Sequence, residues 1–371
     1  MATLPDLVTT DVVTLTEALC NIPSVSGDET TLADAVADAL SAYPHLEVLR
    51  DGDAIAARTN LGRAQHVIVA GHLDTVPVRE NLPCRHRLTD GVEELWGRGT
   101  VDMKGGVAVA LQLAAQLDEP VRDVTWVFYD HEEVDAQLNG LGRIARARPD
   151  WLAADFAVLG EPSNGQIEGG CNGTLRVQVR LDGRTAHSAR AWMGHNAIHD
   201  AGELLSRLAQ YQPQTIEVDG LAYREGLNAV GIEGGVATNM IPPQCLVTIN
   251  YRYAPDKSAE QALAHVAQVL HGYQLTVTDS APAARPGLTD PLAQEFVAAV
   301  ASVTGGAPAP KYGWTDVARF SELGIPAVNF GPGDPSLAHS DDERVPTTQL
   351  RQCAQALRAW LAGPVTSEGR S

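Results

Sequence analysis

The sequence predicts an α/β domain interrupted by a smaller α+β (ferredoxin-like) domain, and three observations carry that expectation. Apolar runs of strand length alternate with helical patterns in the first part of the chain; the texture changes to period-two alternation near residue 173; and the α/β pattern resumes after "SAPAARPG". The expected limits are 1–172 together with 284–371 for the α/β domain and 173–283 for the inserted one. A chain of 371 residues suits this division, because one hydrophobic core rarely serves so long a polypeptide.

In chain order, "HVIVAGHLD" (66–74), "VTWVFYDHEE" (124–133) and "FAVLGEP" (156–162) each read as a buried strand that ends in polar residues. Between the first two, "VDMKGGVAVALQLAAQL" has the apolar spacing of a helix packed on a sheet. "TLRVQVRLDGRTAHSA" alternates with period two, 195–209 reads as a helix, "CLVTINYRYAP" as a strand and "SAEQALAHVAQVLHGY" as a helix. This β-α-β-β-α-like block with antiparallel character is the expected insertion. The chain closes with "IPAVNFGPGDPSLAHSDDERVP" and a final helix.

Composition excludes several classes of function. The 27 Lys and Arg against 46 Asp and Glu give a net charge of −19, which repels phosphate backbones and anionic membranes. Nucleic acid and membrane partners are therefore not expected. The N-terminal "MATLPDLVTTDVVTLTEALC" lacks the basic and apolar regions of a secretory signal, and no apolar run reaches membrane-spanning length, so a cytoplasmic location is expected. Five scattered cysteines (Cys20, Cys84, Cys171, Cys245, Cys353) form no CxxC pair, which leaves nitrogen and oxygen as the donors for any metal.

In open α/β sheets the ligand-bearing residues follow the carboxyl ends of the strands. His72 and Asp74, Glu132 and Glu133, Glu161, and His339 all occupy such ends, and Asp102 lies in a glycine-rich loop leading into a helix. Singly these are ordinary residues: a histidine beside a strand is commonly a surface group, Asp74 could cap a helix, and adjacent acids often sit in a solvated loop. His131 and the run Asp341, Asp342, Glu343 carry no comparable signal. Together, the strand-end set can supply two borderline-to-hard cations with imidazole and carboxylate ligands.

The motifs "GHLDTVPV", "GRGTVDMKGG", "HEEV", "GEP" and "AHSDDERVP" resemble, in order and over nearly the whole chain, the co-catalytic zinc hydrolases that include aminoacylases, acetylornithine deacetylases, glutamate-type carboxypeptidases and succinyl-diaminopimelate desuccinylases. The resemblance implies a zinc-peptidase-like catalytic domain with a lid and dimerisation insertion. It also implies two Zn²⁺ per subunit, for which Co²⁺ or Mn²⁺ substitutes. Asp102 would bridge them, His72 and Glu161 completing one site, Glu133 and His339 the other, with Glu132 as general base. Asp74 would hydrogen-bond His72 and fix its tautomer, and the Asp102–Met103 peptide would be cis. In the insertion, "GRTAHSARAWMGHNAI" resembles the segment whose histidine, here His187, reaches a partner subunit's site to stabilise an oxyanion. Asn239, Arg252, Thr174 and Gly173 match lid positions near substrate, and the enzyme would work as a homodimer.

Glu161 shifts weight from peptidases toward deacylases, since the related aminopeptidases and several carboxypeptidases carry Asp there. "EGGCNGTLRVQVR" with the His187 segment resembles the actinobacterial-type succinyl-diaminopimelate desuccinylases. The implied reaction cleaves N-succinyl-LL-2,6-diaminopimelate to succinate and LL-2,6-diaminopimelate in lysine biosynthesis; an N-acetylornithine or N-acetylcitrulline deacetylase is the alternative. One departure stands out: Cys171 and Asn172 occupy the place where some members have an arginine, and Arg190 is the expected replacement.

Overall fold

The computed structural model describes residues 2–363. The chain forms two compact units: Met1–Gly169, Gly287–Ala309 and Arg319–Ser371 make the first, Gly170–Pro286 and Pro310–Ala318 the second. The sequence placed the crossings at 173 and 283, and it assigned Pro310–Ala318 to the first domain. That segment groups with the second unit, where its backbone meets the crossing strands: Asn172 N–H donates to the Lys311 carbonyl at 3.2 Å.

The first unit is built on an eight-stranded mixed sheet, in the order Glu47–Asp51, Ala54–Arg58, Asp123–Tyr129, His66–His72, Phe156–Leu159, Ala327–Asn329, Glu168–Gly169, Ala309–Pro310. Its four central strands are mutually parallel, so their carboxyl ends emerge along one edge. All seven residues of Asp123–Tyr129 are buried, the mark of a strand covered on both faces. Helices Val12–Cys20, Lys104–Gln116, Pro291–Thr304 and Thr347–Ala362 contribute to the same core. Burying each large apolar side chain there is worth about 1.5–3 kcal/mol. The Lys104–Gln116 helix approaches closely because Gly106 faces the Gly160 carbonyl: a Cβ at Gly106 would lie 2.1 Å from that oxygen. That contact brings the Asp102 loop beside the turn carrying Glu161.

Apart from a separate hairpin, Thr215–Val218 with Leu221–Arg224, the second unit follows the order Gly173–Asp182 (strand), Ala197–Gln210 (helix), Gly226–Gly234 and Gln244–Tyr253 (strands), Ala259–Val269 (helix), Leu275–Ala281 (strand). This β-α-β-β-α-β order, with an antiparallel sheet arranged Gly226–Gly234, Gln244–Tyr253, Gly173–Asp182, Leu275–Ala281, is the ferredoxin-like arrangement. Alternation ends earlier than the sequence suggested. The strand stops at Asp182, and "GRTAHSA" continues as a loop into a 3₁₀ turn, Ser188–Met193.

Candidate metal centre

All five expected metal ligands, and Glu132 with them, meet at the carboxyl edge of the first unit's sheet. His72 ends its strand, Glu132 and Glu133 follow Asp123–Tyr129, and Glu161 follows Phe156–Leu159. Asp102 lies before the Lys104–Gln116 helix across a cis Asp102–Met103 peptide, and His339 sits in the loop after Ala327–Asn329. Ligand atoms of His72, Asp102 and Glu161 all lie within 4.8 Å of one another, and so do those of Asp102, Glu133 and His339. Asp102 belongs to both groups. Its Oδ1 is 3.1 Å from His72 Nε2, its Oδ2 is 3.3 Å from His339 Nε2, and Glu133 Oε1 is 2.9 Å from the latter nitrogen. One carboxylate thus turns a separate oxygen to each imidazole. Glu132 forms a third such group with His72 and Glu133.

The electrostatics favour positive charge at both imidazoles. Against the cost of burial, the Asp102 hydrogen bond with Asp74 and Glu132 holds the His72 pKa well above its ordinary value. His339, bonded to Asp102 and Glu133, is raised to about 10. Asp102 is held well below the usual carboxylate range by His339 and His72, which outweigh its burial. Divalent cations meet the same demand, and the donor set of imidazole and carboxylate, with no cysteine in any group, fits borderline-to-hard ions. The two groups differ in exposure. His72 and Glu161 are buried, whereas the His339 side chain is 53 % exposed, so the second position faces outward.

Asp74 departs from the expected contact. His72 Nδ1 meets the Asp74 main-chain carbonyl at 2.9 Å, while the nearest carboxylate oxygen is 3.6 Å away. A main-chain acceptor therefore fixes the His72 tautomer, with Nδ1 donating and Nε2 directed at Asp102. The carboxylate serves the glutamates instead: Glu132 N–H donates to Oδ1 at 2.9 Å, Glu133 N–H to Oδ2 at 3.0 Å, and Ser26 Oγ to Oδ2 at 2.6 Å. Buried Glu29 continues the pattern by accepting from His131 N–H at 3.1 Å. Three successive amides of the base-bearing loop are thus held by two buried carboxylates, which offsets the left-handed backbone of His131 (φ 58°).

Glu343 was not legible as a site residue. It is fully buried, pairs with buried Arg98 at 2.7 Å, and accepts the N–H groups of Val101 at 2.9 Å and Asp102 at 3.1 Å. Four residues after His339, it ties that loop to the Asp102 loop. Removing one partner of a buried ion pair costs about 3–5 kcal/mol, so Glu343→Ala should destabilise the metal-free chain by that order and weaken metal uptake, with Glu343→Gln intermediate. Thermal unfolding and metal titration read the two effects; unchanged values in both would remove Glu343 from the support of the site.

The expected lid residues fall into two clusters within the second unit. Gly173, Thr174 and Arg252 lie together at one end of the sheet, Arg252 opposite Thr174 in register. Gly173 has a packing reason of its own, since a Cβ there would sit 2.2 Å from the Tyr253 ring. His187, Arg190 and Asn239 lie beyond the other end: Ser188 N–H donates to the Asn239 carbonyl at 2.9 Å and Arg190 N–H to that of His187 at 2.7 Å. His187 Nδ1 accepts from Ala189 N–H at 3.0 Å, leaving Nε2 as the proton-bearing nitrogen of the neutral ring. The ten-residue Gly173–Asp182 strand separates the clusters by about 30 Å.

Comparison with known proteins places these features among relatives. The sequence pattern of Peptidase family M20/M25/M40 matches residues 68–362. The chain is 53 % identical over 356 residues to a Mycobacterium tuberculosis protein provisionally named succinyl-diaminopimelate desuccinylase, covering 95 % of this chain and 98 % of that one. It is 45 % identical over 362 residues to the succinyl-diaminopimelate desuccinylase of Corynebacterium glutamicum, covering 95 % and 96 %. The Bacillus subtilis YXEP protein, described as a dinuclear metal binding peptidase from the M20 family, superposes with a TM-score of 0.70 at 17 % identity, covering 94 % of this chain and 96 % of that one. At that identity the likeness speaks for the fold alone.

Proposed function

The chain belongs to Peptidase family M20/M25/M40, and we propose that it hydrolyses N-succinyl-LL-2,6-diaminopimelate to succinate and LL-2,6-diaminopimelate in lysine biosynthesis. The observation that carries this reading is the 45 % identity along 95 % of the chain to the C. glutamicum desuccinylase, joined to a ligand set in which one carboxylate faces two histidines. His72, Asp102 and Glu161 would hold one Zn²⁺ and Asp102, Glu133 and His339 the other, with Co²⁺ or Mn²⁺ able to substitute. When bound, such a pair polarises a scissile carbonyl and acidifies a water.

The chain's own residues do the rest. Glu132 takes the proton of the attacking water and passes it to the leaving amine. The Asp74 carboxylate, holding the Glu132 and Glu133 amides, keeps the working carboxylate and the ligating one side by side. His187, with its outward Nε2–H, donates to the developing oxyanion. Arg252, Thr174, Gly173, Asn239 and Arg190 contact the substrate, whose three carboxylates favour arginine.

The protein works as a cytoplasmic homodimer. An amino-acid-sized substrate reaches only one of the two lid clusters within a copy, so a site using both draws on two copies. The Gly226–Gly234 edge strand supports pairing between copies, with Val230 and Ile232 exposed along it. Free, buried cysteines suit a reducing compartment, and among the described residues no helix is long and apolar enough to cross a membrane.

The substrate is tested by amine release from N-succinyl-LL-2,6-diaminopimelate and from N-acetylornithine at matched concentrations. Turnover of the succinylated compound alone is expected; turnover of the acetylated compound alone would overturn the proposed substrate. Action in trans is tested by mixing two inactive variants, Glu132→Gln and His187→Ala. Mixed dimers should recover up to about a quarter of wild-type activity, the share expected when exchange is random and half of the sites in half of the dimers are intact. No recovery after confirmed subunit exchange would place His187 outside the partner's site.

A further inference from the structure

The sheet of the second unit turns one face to its core and leaves the other partly exposed. Leu175, Val177 and Val179 enter the core with Val247, Ile249 and Tyr251 of the neighbouring strand. Strand geometry sends the alternate residues Thr174 and Arg176 to the opposite face. There the register sets Thr174 beside Arg252 and Arg176 beside Asn250. Two guanidinium-bearing residues, Arg176 exposed and Arg252 partly buried, therefore share that second face, one strand apart and two positions out of register.

Little on that face neutralises them. Asp279 lies opposite Arg176 and only 3.6 Å from its guanidinium, with both side chains partly exposed, a geometry in which an ion pair contributes little. Arg252 has no ion-pair partner among the described residues. Burial first and then the neighbouring Arg176 lower the Arg252 pKa below the ordinary arginine value, with Asp279 opposing them. Asn250 Nδ2, donating to Thr174 Oγ1 at 3.0 Å, adds an amide and a hydroxyl beside them. Paired guanidiniums flanked by neutral hydrogen-bonding groups form a receptor for carboxylate.

We propose that Arg176 acts with Arg252 as a two-arginine carboxylate clamp on this face, selecting acyl-amino-acid substrates that carry more than one carboxylate. The clamp rests on the deacylase reading above and deepens it. It supplies the cationic contact that Cys171 and Asn172 do not offer. Asn172 Nδ2 is committed to the Arg224 carbonyl at 2.9 Å, and Cys171 is buried. Arg190, the replacement expected from the sequence, lies in the other cluster with His187 and is left to a separate carboxylate.

Arg176→Ala should raise KM for N-succinyl-LL-2,6-diaminopimelate by about 10- to 100-fold, the size of one lost charge-assisted hydrogen bond. The effect on kcat should stay within a few-fold, and Arg176→Lys should recover part of the loss. Calorimetric titration with succinate, a dicarboxylate probe that needs no turnover, should show weaker binding to Arg176→Ala than to the wild-type chain. Unchanged KM with unchanged succinate binding would overturn the clamp. If the wild-type chain fails to hydrolyse the succinylated compound, the desuccinylase reading falls and the titration still decides. Weaker binding by the variant then keeps the clamp; equal binding, or none to either chain, removes it.

Discussion

Glu132→Gln is expected to lower kcat by about 10²- to 10⁴-fold, the usual contribution of general acid–base catalysis, while the protein keeps its full complement of metal. The amide is nearly the same shape as the carboxylate but cannot accept a proton. Its backbone N–H would still donate to Asp74, whose carboxylate holds the loop at 2.9 Å. The outcome is informative because Glu132 also lies within ligand range of His72 and Glu133. Metal analysis of the dialysed variant separates the two roles. A variant that is slow but fully loaded fits the base, whereas loss of an ion would make Glu132 a ligand.

Asp102→Ala is expected to remove the metal centre as a unit. Asp102 is the residue common to the His72–Glu161 and Glu133–His339 groups, so its loss deprives both of a ligand at once. The two imidazoles would also lose the carboxylate that each meets within 3.3 Å. Changes to residues that merely orient a ligand cost 10- to 100-fold in metal affinity; loss of a shared ligand should cost more than about 100-fold and abolish turnover. Asp102→Asn, with one oxygen in place of two, should hold no more than one ion tightly. Retention of two tightly held ions by either variant would show that Asp102 does not bridge them.

Much of this site was legible because buried parallel strands announce themselves. The runs "VIVAG" (67–71) and "WVFY" (126–129) are apolar throughout, so the polar residues that follow, His72 after the first and the group from Asp130 to Glu133 after the second, mark the open edge of the sheet. Asp102 was legible from the glycines around it, and Gly106 has a steric reason to be there. The supporting residues were not legible. Glu343 ends an acidic run that reads as solvated, and only its partner Arg98, 245 positions away, identifies it as buried. Glu29 likewise holds a backbone amide, and Ser26 a carboxylate, far along the chain, which no local pattern encodes. The Gly226–Gly234 strand was missed for a different reason. As an edge strand exposed on both faces from Asn228 onward, it lacks the alternation by which a half-buried strand is recognised. Arg176 was passed over as one polar position in an alternating strand, until the register set it beside Arg252 and Asn250.

The two-metal deacylase mechanism is tested most directly by stripping the protein with a chelator and titrating zinc back while following hydrolysis of N-succinyl-LL-2,6-diaminopimelate. Turnover should be absent from the stripped protein and reach its plateau near two equivalents of metal per chain. Undiminished turnover in excess chelator, or a fully reloaded protein that leaves the succinylated substrate intact, would contradict it.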